Sequence, residues 1–338
     1  MKCSMKLCWE NLMWRWWLVL AASLGGAYWA SRPVGGDAEM QIAIINLELS
    51  QIAKVELTSP EGVIEASRRV DLVDSWWINV TRAKAVPSLA ASPSPPVPQN
   101  FLASKKFKES LAVFSPFRAI RIIPNIGNEQ LAGFGLKDSK KFLMVKDSGG
   151  ALLLSLAIGK QMYGARNTYV QNQVDKAVFL ISAELISDFE KAEISYYERN
   201  FMDLDPEEIQ SATLSVGGRS LTLSHVKRDS KGVLIWTGVE GDGAPAVSAT
   251  SWFERFDQLK ATAYASPGEQ ARLSAAPADA EVKLVGGGSR SEVVQFRKLS
   301  NNNQIEYWLT SGHLGWNVKI AATRGESLLK DLPQIVSP

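Results

Sequence analysis

The longest apolar stretch of the chain runs from Leu12 to Ala30 and contains Arg15 as its one charged residue. Aromatic residues lie at both of its ends: Trp14, Trp16 and Trp17 at the first, Tyr28 and Trp29 at the second. A helix needs about 20 apolar residues to cross a bilayer, and Trp and Tyr are enriched at the two membrane interfaces. The pattern therefore predicts a transmembrane helix over residues 12–30, anchored by these five aromatic residues.

Charged residues beside this stretch predict its orientation. Lys2, Lys6 and Arg15 lie on its N-terminal side, against Glu10 alone. Because positively charged flanks stay in the cytoplasm, the body that follows is predicted to be exported. A cleaved signal peptide is the alternative, but the stretch is longer than the usual apolar region of about 7–15 residues, which favours a retained anchor.

The first half of the exported body contains several strand patterns, which cluster in hairpins, and two helix patterns. Residues 52–58 alternate strictly between apolar and polar, a turn is predicted at 59–62, and Trp76 and Trp77 begin a further strand. The other elements predicted here are a return strand at 63–69, a helix carrying Phe107, Leu111 and Phe114, strands at 141–145, 151–158, 168–170 and 177–181, and a closing helix at 182–192.

The second half repeats this order. Asp205–Glu208 has the cap residue, proline and acid that are typical of a helix start, and Gly217-Gly218 predicts a two-residue hairpin turn. The other elements predicted here are a tryptophan strand at 233–236, a helix at 252–263, strands at 281–285, 293–299, 305–309 and 316–320, and an apolar segment at 328–332. The recurrence predicts an α+β fold in which a unit of antiparallel sheets with packed helices is duplicated.

The predicted domain organisation has five parts. They are a cytoplasmic N-terminus (1–11), the transmembrane anchor (12–30), a linker (31–47), a first α+β repeat (48–200) and a second α+β repeat (201–338). A Pro-rich insertion at 87–99 interrupts the first repeat. Its composition predicts an exposed, extended loop, and a partner-binding arm in polyproline form is the alternative.

Composition narrows the chemistry of the exported body. The formal net charge of the chain is +2, so no strongly acidic or basic partner is implied and nucleic acid is not expected. Cys3 and Cys8 both precede the predicted span, which leaves the exported part without a thiol. Disulfides, thiol catalysis and cysteine-ligated zinc are therefore excluded there.

Several short motifs of the body resemble one bacterial family. They are Phe134-Gly135-Leu136, Leu154–Lys160, Thr168-Tyr169-Val170, Val178–Ile181 and Phe201–Ile209. In this order they resemble the family known as domain of unknown function 4340, over most of residues 48–265. The Pro-rich insertion departs from the usual pattern of that family and leaves the geometry of the first repeat open.

The resemblance implies where the protein is located and which partners it has. It implies a protein of the bacterial inner membrane with one N-terminal span and a body in the periplasm. It also implies a gene neighbourhood with an ABC transporter similar to the gliding-motility type. The expected partner is a transporter permease or its companion subunit, and the resemblance supplies no catalytic residue or cofactor.

Candidate catalytic and metal-binding residues are sparse. His225 and His313 are the two histidines, and neither accompanies the Gly-x-Ser-x-Gly motif of a serine hydrolase, so catalysis at either is not predicted. Asp203, Asp205, Glu207 and Glu208 form the densest acidic cluster and contain oxygen ligands suited to calcium. Helix capping accounts for Asp205 and Glu208, and the EF-hand spacing is absent, so no metal site is predicted.

The tryptophans of the body are predicted to be core residues for the most part. They are Trp76, Trp77, Trp236, Trp252, Trp308 and Trp316. Adjacent strand residues point to opposite faces, so one ring of the Trp76-Trp77 pair is predicted to be buried and the other to be exposed or interfacial. This pair is the candidate partner contact, because aromatic residues are enriched in interfaces.

A run of cations in the first repeat has two interpretations. It consists of Lys105, Lys106, Lys108, Arg118 and Arg121. A solvated face is favoured, and contact with anionic lipid headgroups is the alternative.

The sequence as a whole predicts a non-catalytic, membrane-anchored periplasmic auxiliary or scaffold subunit, associated with an ABC-type transporter or a related envelope complex. The alternative is an envelope hydrolase or glycan-binding module that uses Asp203, Asp205 and an exposed tryptophan.

Overall fold

A computed structural model of the protein describes residues 42–69, 75–83, 100–228, 234–238, 246–301 and 304–337. The chain forms three antiparallel sheets together with helices, which confirms the predicted α+β class. The predicted transmembrane helix and the Pro-rich insertion at 87–99 lie outside the described residues. Among the helices in the described ranges, none has the length and apolar character needed to cross a membrane.

The first part of the chain builds a large sheet and a small one. Its strands are β1 (Ile42–Ile45), β2 (Lys54–Ser59), β3 (Gly62–Arg68), β4 (Trp76–Arg82), β5 (Asn100–Leu102), β6 (Phe117–Ala119), β7 (Arg121–Ile123), β8 (Phe142–Lys146), β9 (Leu152–Gln161), β10 (Asn167–Asn172) and β11 (Val178–Ser182). Its helices are α1 (Lys105–Leu111), α2 (Asn128–Gly133), α3 (Ala183–Glu190) and α4 (Ala192–Ser195). Nine strands pair in the order β5-β4-β3-β2-β8-β9-β10-β11-β7, and β1 pairs separately with β6.

The second part builds one sheet of eight strands. The strands are β12 (Ile209–Val216), β13 (Arg219–Arg228), β14 (Leu234–Gly238), β15 (Ala263–Tyr264), β16 (Ala280–Gly286), β17 (Ser291–Asn301), β18 (Gln304–Ser311) and β19 (Val318–Ile320). The helices are α5 (Val247–Asp257), α6 (Pro267–Ala275) and α7 (Ala322–Val336). The strands pair in the order β14-β13-β12-β16-β17-β18-β19-β15.

The two large sheets share a strand order. In the first, the meander β2-β3-β4 pairs through β2 with the first strand of the meander β8-β9-β10-β11. In the second, the meander β12-β13-β14 pairs through β12 with the first strand of the meander β16-β17-β18-β19. A helix follows the third strand in the second sheet, and α1 follows β4 and the short β5 in the first.

The hairpin turns follow the predicted positions. β2 and β3 turn between Ser59 and Gly62, which pair with each other. β12 and β13 turn between Val216 and Arg219, through Gly217 at φ 57° and Gly218 at φ 77°. Two successive residues with positive φ make the type I′ turn that a Gly-Gly pair favours, so the predicted hairpin is confirmed.

Each sheet buries a tryptophan of its third strand against the helix that follows. The ring centroid of Trp76 lies 5.4 Å from that of Phe107 in α1, in an edge-to-face contact. Trp236 stacks on Phe253 of α5 at 4.1 Å. The buried apolar residues around both pairs belong to one continuous core that includes residues of both large sheets.

Four predicted helices differ from the structure. The helix predicted at 252–263 begins earlier, at Val247, and ends at Asp257, so Ala263 lies in β15 instead. The helix predicted to carry Phe114 ends at Leu111, before that residue.

The segment after Asp205 forms only a 3-10 turn, Pro206–Glu208, because Ile209 begins β12 and the following residues pair with β16. The predicted helix over 182–192 ends as α3 at Glu190, and α4 continues after Lys191, whose backbone is not helical.

Candidate functional site

Trp76 and Trp77 point to opposite faces of β4, as the alternation requires. Trp76 is only 3% exposed and belongs to the core. Trp77 is half-buried and lies on the other face. Of the predicted pair, therefore, Trp77 alone keeps surface that a partner could contact, and Trp76 is a core residue.

The ring of Trp77 contacts aromatic residues of the second part of the chain. The centroid of Trp77 lies 5.6 Å from that of Tyr264 in β15 and 5.2 Å from that of Trp316. Tyr264 donates its hydroxyl hydrogen to the carbonyl oxygen of Glu198 at 3.1 Å. Edge-to-face and tilted ring pairs are each worth about 0.5–1.5 kcal/mol beyond the area they bury. We name this contact of Trp77, Tyr264 and Trp316 the aromatic seam.

A groove of about 290 Å³ opens beside the aromatic seam. Its walls come from both parts of the chain: Arg69, Trp77 and Asn100 from the first part, and Ala265, Pro267 and Trp316 from the second. The guanidinium carbon of Arg69 lies 5.2 Å from the ring centroid of Trp77, within cation–π range. Indole faces beside a guanidinium and an amide can hold an extended peptide or a sugar ring by non-covalent contacts, and we name this the seam groove.

A larger pocket, of about 610 Å³, lies between α1 and α3. Apolar side chains form much of its lining, including Phe117, Ile181 and Leu185, and the cations Lys106 and Arg118 are also part of it. We name it the α1–α3 pocket. Its volume is within the range of about 300–1,000 Å³ that is usual for ligand sites.

Tyr196 contributes to the lining of the α1–α3 pocket. Its ring packs edge-to-face on Phe107 and Phe189, and its hydroxyl makes no hydrogen bond of regular geometry within the described part of the chain. Burial raises the pKa of Tyr196 to about 12; the Ser110 hydroxyl opposes that rise, and the charge of Asp188 adds to it. The phenol is therefore neutral at physiological pH and unsuited to act as a base.

The acids predicted as a cluster are used separately. Asp205 accepts a hydrogen bond from the backbone N–H of Glu207 at 2.9 Å, and the Glu208 carboxylate pairs with Arg290. The capping prediction thus holds for Asp205 and is wrong for Glu208. No group of three or more potential metal ligands occurs in the described ranges.

The histidines lie in different environments. His313 is in the turn after β18, and its backbone N–H donates to the carboxylate of Glu292 at 3.0 Å. His225 is part of β13, and its side chain lies outside the described part of the structure.

Two buried charged residues of β17 were not predicted. Glu292 is 7% exposed and accepts hydrogen bonds from the backbone N–H groups of Asp203 and His313. Arg297 is 8% exposed and donates to the Ala276 carbonyl at 3.1 Å; burial lowers its pKa, and Asp279 opposes that shift. Their hydrogen bonds fix the backbone at Asp203 and His313 and at Ala276. The strand alternation around Val294 and Phe296 could have indicated that Glu292 faces inward.

The predicted membrane-anchor residues lie outside the described residues. They are Trp14, Trp16, Trp17, Tyr28 and Trp29. The five cations of the first repeat lie within the described part, and all five side chains are exposed, as both interpretations of this run expect.

Comparisons with known proteins give one match. A family model described as Domain of unknown function (DUF4340) matches residues 118–280. Searches of curated proteins and of solved structures found no significant match. The matched segment begins in β6 and ends at the start of β16, so it includes parts of both large sheets. Residues 118–280 therefore belong to the DUF4340 family, which confirms the resemblance read from the motifs.

Proposed function

We propose that this protein is a non-catalytic auxiliary subunit of the bacterial inner membrane, with a single N-terminal span and its body in the periplasm. In this proposal the body holds a partner of an ABC-type transporter close to the membrane. The observation that carries it is the pairing of β1 with β6. That pairing ties the body to the chain that follows the apolar stretch at 12–30, so a retained anchor would hold the body at the membrane.

We infer that the two large sheets are copies of one ancestral unit, over the predicted repeats 48–200 and 201–338. The shared strand order supports this, and so do the matched pairs Trp76–Phe107 and Trp236–Phe253. The family match crosses the predicted boundary between the repeats. In this proposal the two copies act together as one body.

The seam groove is the proposed contact site for the transporter permease or its companion subunit. Its lining combines two tryptophans with Arg69 and Asn100. Aromatic residues and arginine are enriched in protein interfaces, and an extended segment of a partner could lie across the indole faces.

The topology is tested with a reporter that is active only in the periplasm, fused after Pro338. We expect an active fusion in the full chain. An inactive fusion, together with activity of a cytoplasmic reporter at the same position, would refute the export of the body.

The partner is tested by pull-down of the full chain from membranes in mild detergent. We expect a transporter permease or companion subunit to be recovered with the wild type and lost with Asn100→Ala, which changes the seam groove without removing a ring. Ile305→Ala is the matched control, because this side chain is 56% exposed and lies on β18. Recovery of the anchored protein without any transporter component would contradict the proposal.

The second candidate function is glycan binding in the same groove. Indole faces beside the guanidinium and amide groups favour it. The hydrolase version has less support, because none of the described residues that line the groove is acidic. Titration with cell-wall fragments, followed by tryptophan fluorescence, tests it. Unchanged fluorescence at saturating fragment would exclude this candidate.

A further inference from the structure

We propose that the seam groove binds an extended, proline-rich segment of the partner in the polyproline II conformation, with an acidic residue of that segment beside Arg69. This inference rests on the proposed function, because it takes the seam groove as the contact site of an envelope partner. It goes further by naming the kind of peptide that the groove recognises.

The groove walls from the first part of the chain lie on one face of its large sheet. Trp77 pairs with Ser67 of β3, two residues before Arg69, so these side chains point to the same face. Asn100 pairs with Asn79, two residues after Trp77, and therefore shares that face. Arg69, Trp77 and Asn100 thus form a row that crosses three neighbouring strands.

This row is long enough for several residues of an extended peptide. The backbone N–H of Arg69 donates to the carbonyl oxygen of Ser75 at 2.7 Å, so Arg69 lies beside Ser75, and Asn100 lies beside Asn79. The offset along β4 is about 13 Å and the step across two strand spacings is about 10 Å, which gives a diagonal of about 16 Å. A polyproline II helix rises about 3.1 Å per residue, so about five residues of a partner reach from Arg69 to Asn100.

Two tryptophans form the middle of the groove. The planes of Trp77 and Trp316 make an angle of 58°, and both rings are half-buried, so each keeps exposed ring surface. The indole N–H of Trp316 donates to the carbonyl oxygen of Ala265 at 2.8 Å, which holds this ring in place. Pro267, the first residue of α6, is exposed and extends the apolar surface. Proline rings of polyproline II segments dock on aromatic-lined grooves of this kind.

The nearest sheet edge is already paired. It is the outer edge of β5, where the N–H of Glu198 donates to the carbonyl oxygen of Leu102 at 3.0 Å. The N–H of Ser104 likewise donates to the carbonyl oxygen of Tyr196 at 2.8 Å. A peptide in the groove therefore cannot join the sheet as an added strand along this stretch. The polyproline II form needs no strand partner, because its backbone groups stay solvated.

The polar groups of the groove suit a ligand that needs few hydrogen bonds. Among the described residues that line it, only Arg69 and Asn100 have polar side chains. Every sugar hydroxyl is both a donor and an acceptor, and burying it without partners costs free energy. Proline has no backbone N–H, so a proline-rich segment presents mainly carbonyl oxygens, to which the Asn100 amide can donate. This balance favours a peptide over a glycan.

The charge of the lining favours an acidic residue in the ligand. Arg69 is the one charged residue among the described residues that line the groove. Its guanidinium lies against the ring of Trp77, so a carboxylate that meets it lies next to the proline rings. An ion pair at such a partly exposed place strengthens binding by up to about fivefold.

The test titrates the full chain in mild detergent with fluorescein-labelled synthetic peptides and measures fluorescence anisotropy. The first peptide has one acidic residue followed by four prolines, and we expect it to bind. Replacing its prolines by alanine should weaken binding at least about tenfold, because each replacement removes about two buried methylene groups, each worth about fourfold. Replacing its acidic residue by lysine should weaken binding up to about fivefold. Salt at about 1 M should abolish the second difference, because it shortens the screening length to about 3 Å.

A substitution in the groove gives the matched comparison. Asn100→Ala should weaken binding of the first peptide by about twofold to tenfold through loss of one hydrogen bond. Asn128→Ala should leave it unchanged, because Asn128 is exposed, begins α2 and does not line the groove. If Asn100→Ala fails to fold, the peptide series with the wild-type chain still decides the question.

The outcomes identify the occupant of the groove. Equal binding of the proline and alanine peptides would overturn the polyproline II assignment. Absence of peptide binding would also overturn it, and quenching of tryptophan fluorescence by cell-wall fragments would then assign the groove to a glycan. Binding that occurs only after deletion of the Pro-rich insertion at 87–99 would identify that insertion as the occupant and overturn the assignment to a partner.

The pull-down described above tests the proposed function separately. Recovery of a transporter component by a wild-type chain that does not bind the peptide would contradict this inference alone. Proline-dependent peptide binding by a chain that recovers no transporter component would support the peptide site and contradict the proposed function alone.

Discussion

Gly325 lies where α7 crosses β18, and replacing it by alanine should destabilise the protein. Gly325 is buried in the helix, and a Cβ atom added to it would lie 2.5 Å from Cβ and 2.6 Å from Cγ of Tyr307. Real Cβ atoms essentially never approach this closely. The Cβ of Tyr307 is fixed to the backbone of β18, so rotation of the tyrosine side chain cannot relieve the contact.

Two opposing effects set the magnitude of the Gly325→Ala change. Alanine is favoured over glycine in a helix interior by about 0.8–1.0 kcal/mol. Inserting one carbon into a packed interface typically costs about 1–3 kcal/mol. Because the Cβ of Tyr307 cannot move away, we expect a packing cost in the upper part of the range of about 1–3 kcal/mol. After the helix preference for alanine is subtracted, the free energy of unfolding should fall by about 1–2 kcal/mol. For a single body of about 300 residues, with an unfolding entropy of about 2.1 cal/mol/K per residue, that corresponds to a fall in Tm of about 2–3 °C.

Thermal unfolding of the full chain, followed by near-ultraviolet circular dichroism, measures this change. Gly268→Ala in α6 is the matched control, because a Cβ there would meet nothing within 4 Å. We expect the control to be neutral or stabilising by up to about 1 kcal/mol. A Gly325→Ala variant that is as stable as the wild type, beside a control that behaves as expected, would refute the packing of α7 on Tyr307.

Three further substitutions test other parts of the structure. Tyr196→Phe should leave stability at pH 7 within about 1 kcal/mol of the wild type, because the lost hydroxyl makes no hydrogen bond of regular geometry in the described structure. Since burial raises the pKa of Tyr196 from 10.0 to about 12, the wild type should lose stability as pH rises from 10 to 12. Between pH 9 and pH 11, the free energy of unfolding in urea should fall by about 1 kcal/mol less in the variant than in the wild type. Trp77→Ala should cost about 2–4 kcal/mol in urea unfolding, because it removes the ring that joins both sheets; an unchanged midpoint would argue against the aromatic seam. Asp205→Ala should lower the free energy of unfolding in urea by about 0.5–2 kcal/mol, because it removes the side chain that caps the 3-10 turn. Asp203→Ala should lower it less, because the carboxylate of Asp203 accepts no hydrogen bond in the described structure.

Local patterns predicted the elements whose pairing is also local. The alternation of residues 52–58 and the Gly217-Gly218 turn both gave the correct hairpins. The pairing of β1 with β6 could not be predicted, because it joins two short strands separated by more than seventy residues. Short strands have no periodicity long enough to distinguish them from loops.

The same local signal gave two different results in this chain. Ser266 and Glu269 form a complete capping box with Pro267 at the first position, and α6 follows. Asp205–Glu208 has the same arrangement of residue types, but only a single 3-10 turn forms there. The difference is tertiary: the residues after Glu208 are needed as the central strand β12, which pairs on both of its edges.

The candidate site was predictable only in part. Strand alternation alone implied that one ring of the Trp76-Trp77 pair would leave the core. It could not identify Trp316 as the neighbour of Trp77, because the two residues lie 239 positions apart and Trp316 is in the loop before β19, in the second part of the chain. The seam groove is a consequence of this long-range contact and therefore had no signature in the sequence.

The aromatic seam connects the part of the body that lies nearest the proposed anchor with the proposed contact site. The predicted tether enters through β1, which pairs with β6 in the first part of the chain. The seam groove takes Trp77 and Asn100 from the first sheet and Pro267 and Trp316 from the second part of the chain. Its shape therefore depends on how the two sheets are held together. Because the core is continuous across both large sheets and the ring contacts of Trp77 connect the two parts of the chain, a tether on β1 of the first part also positions the groove wall that the second part contributes. A scaffold that must present a contact site at a defined place near the membrane needs this coupling.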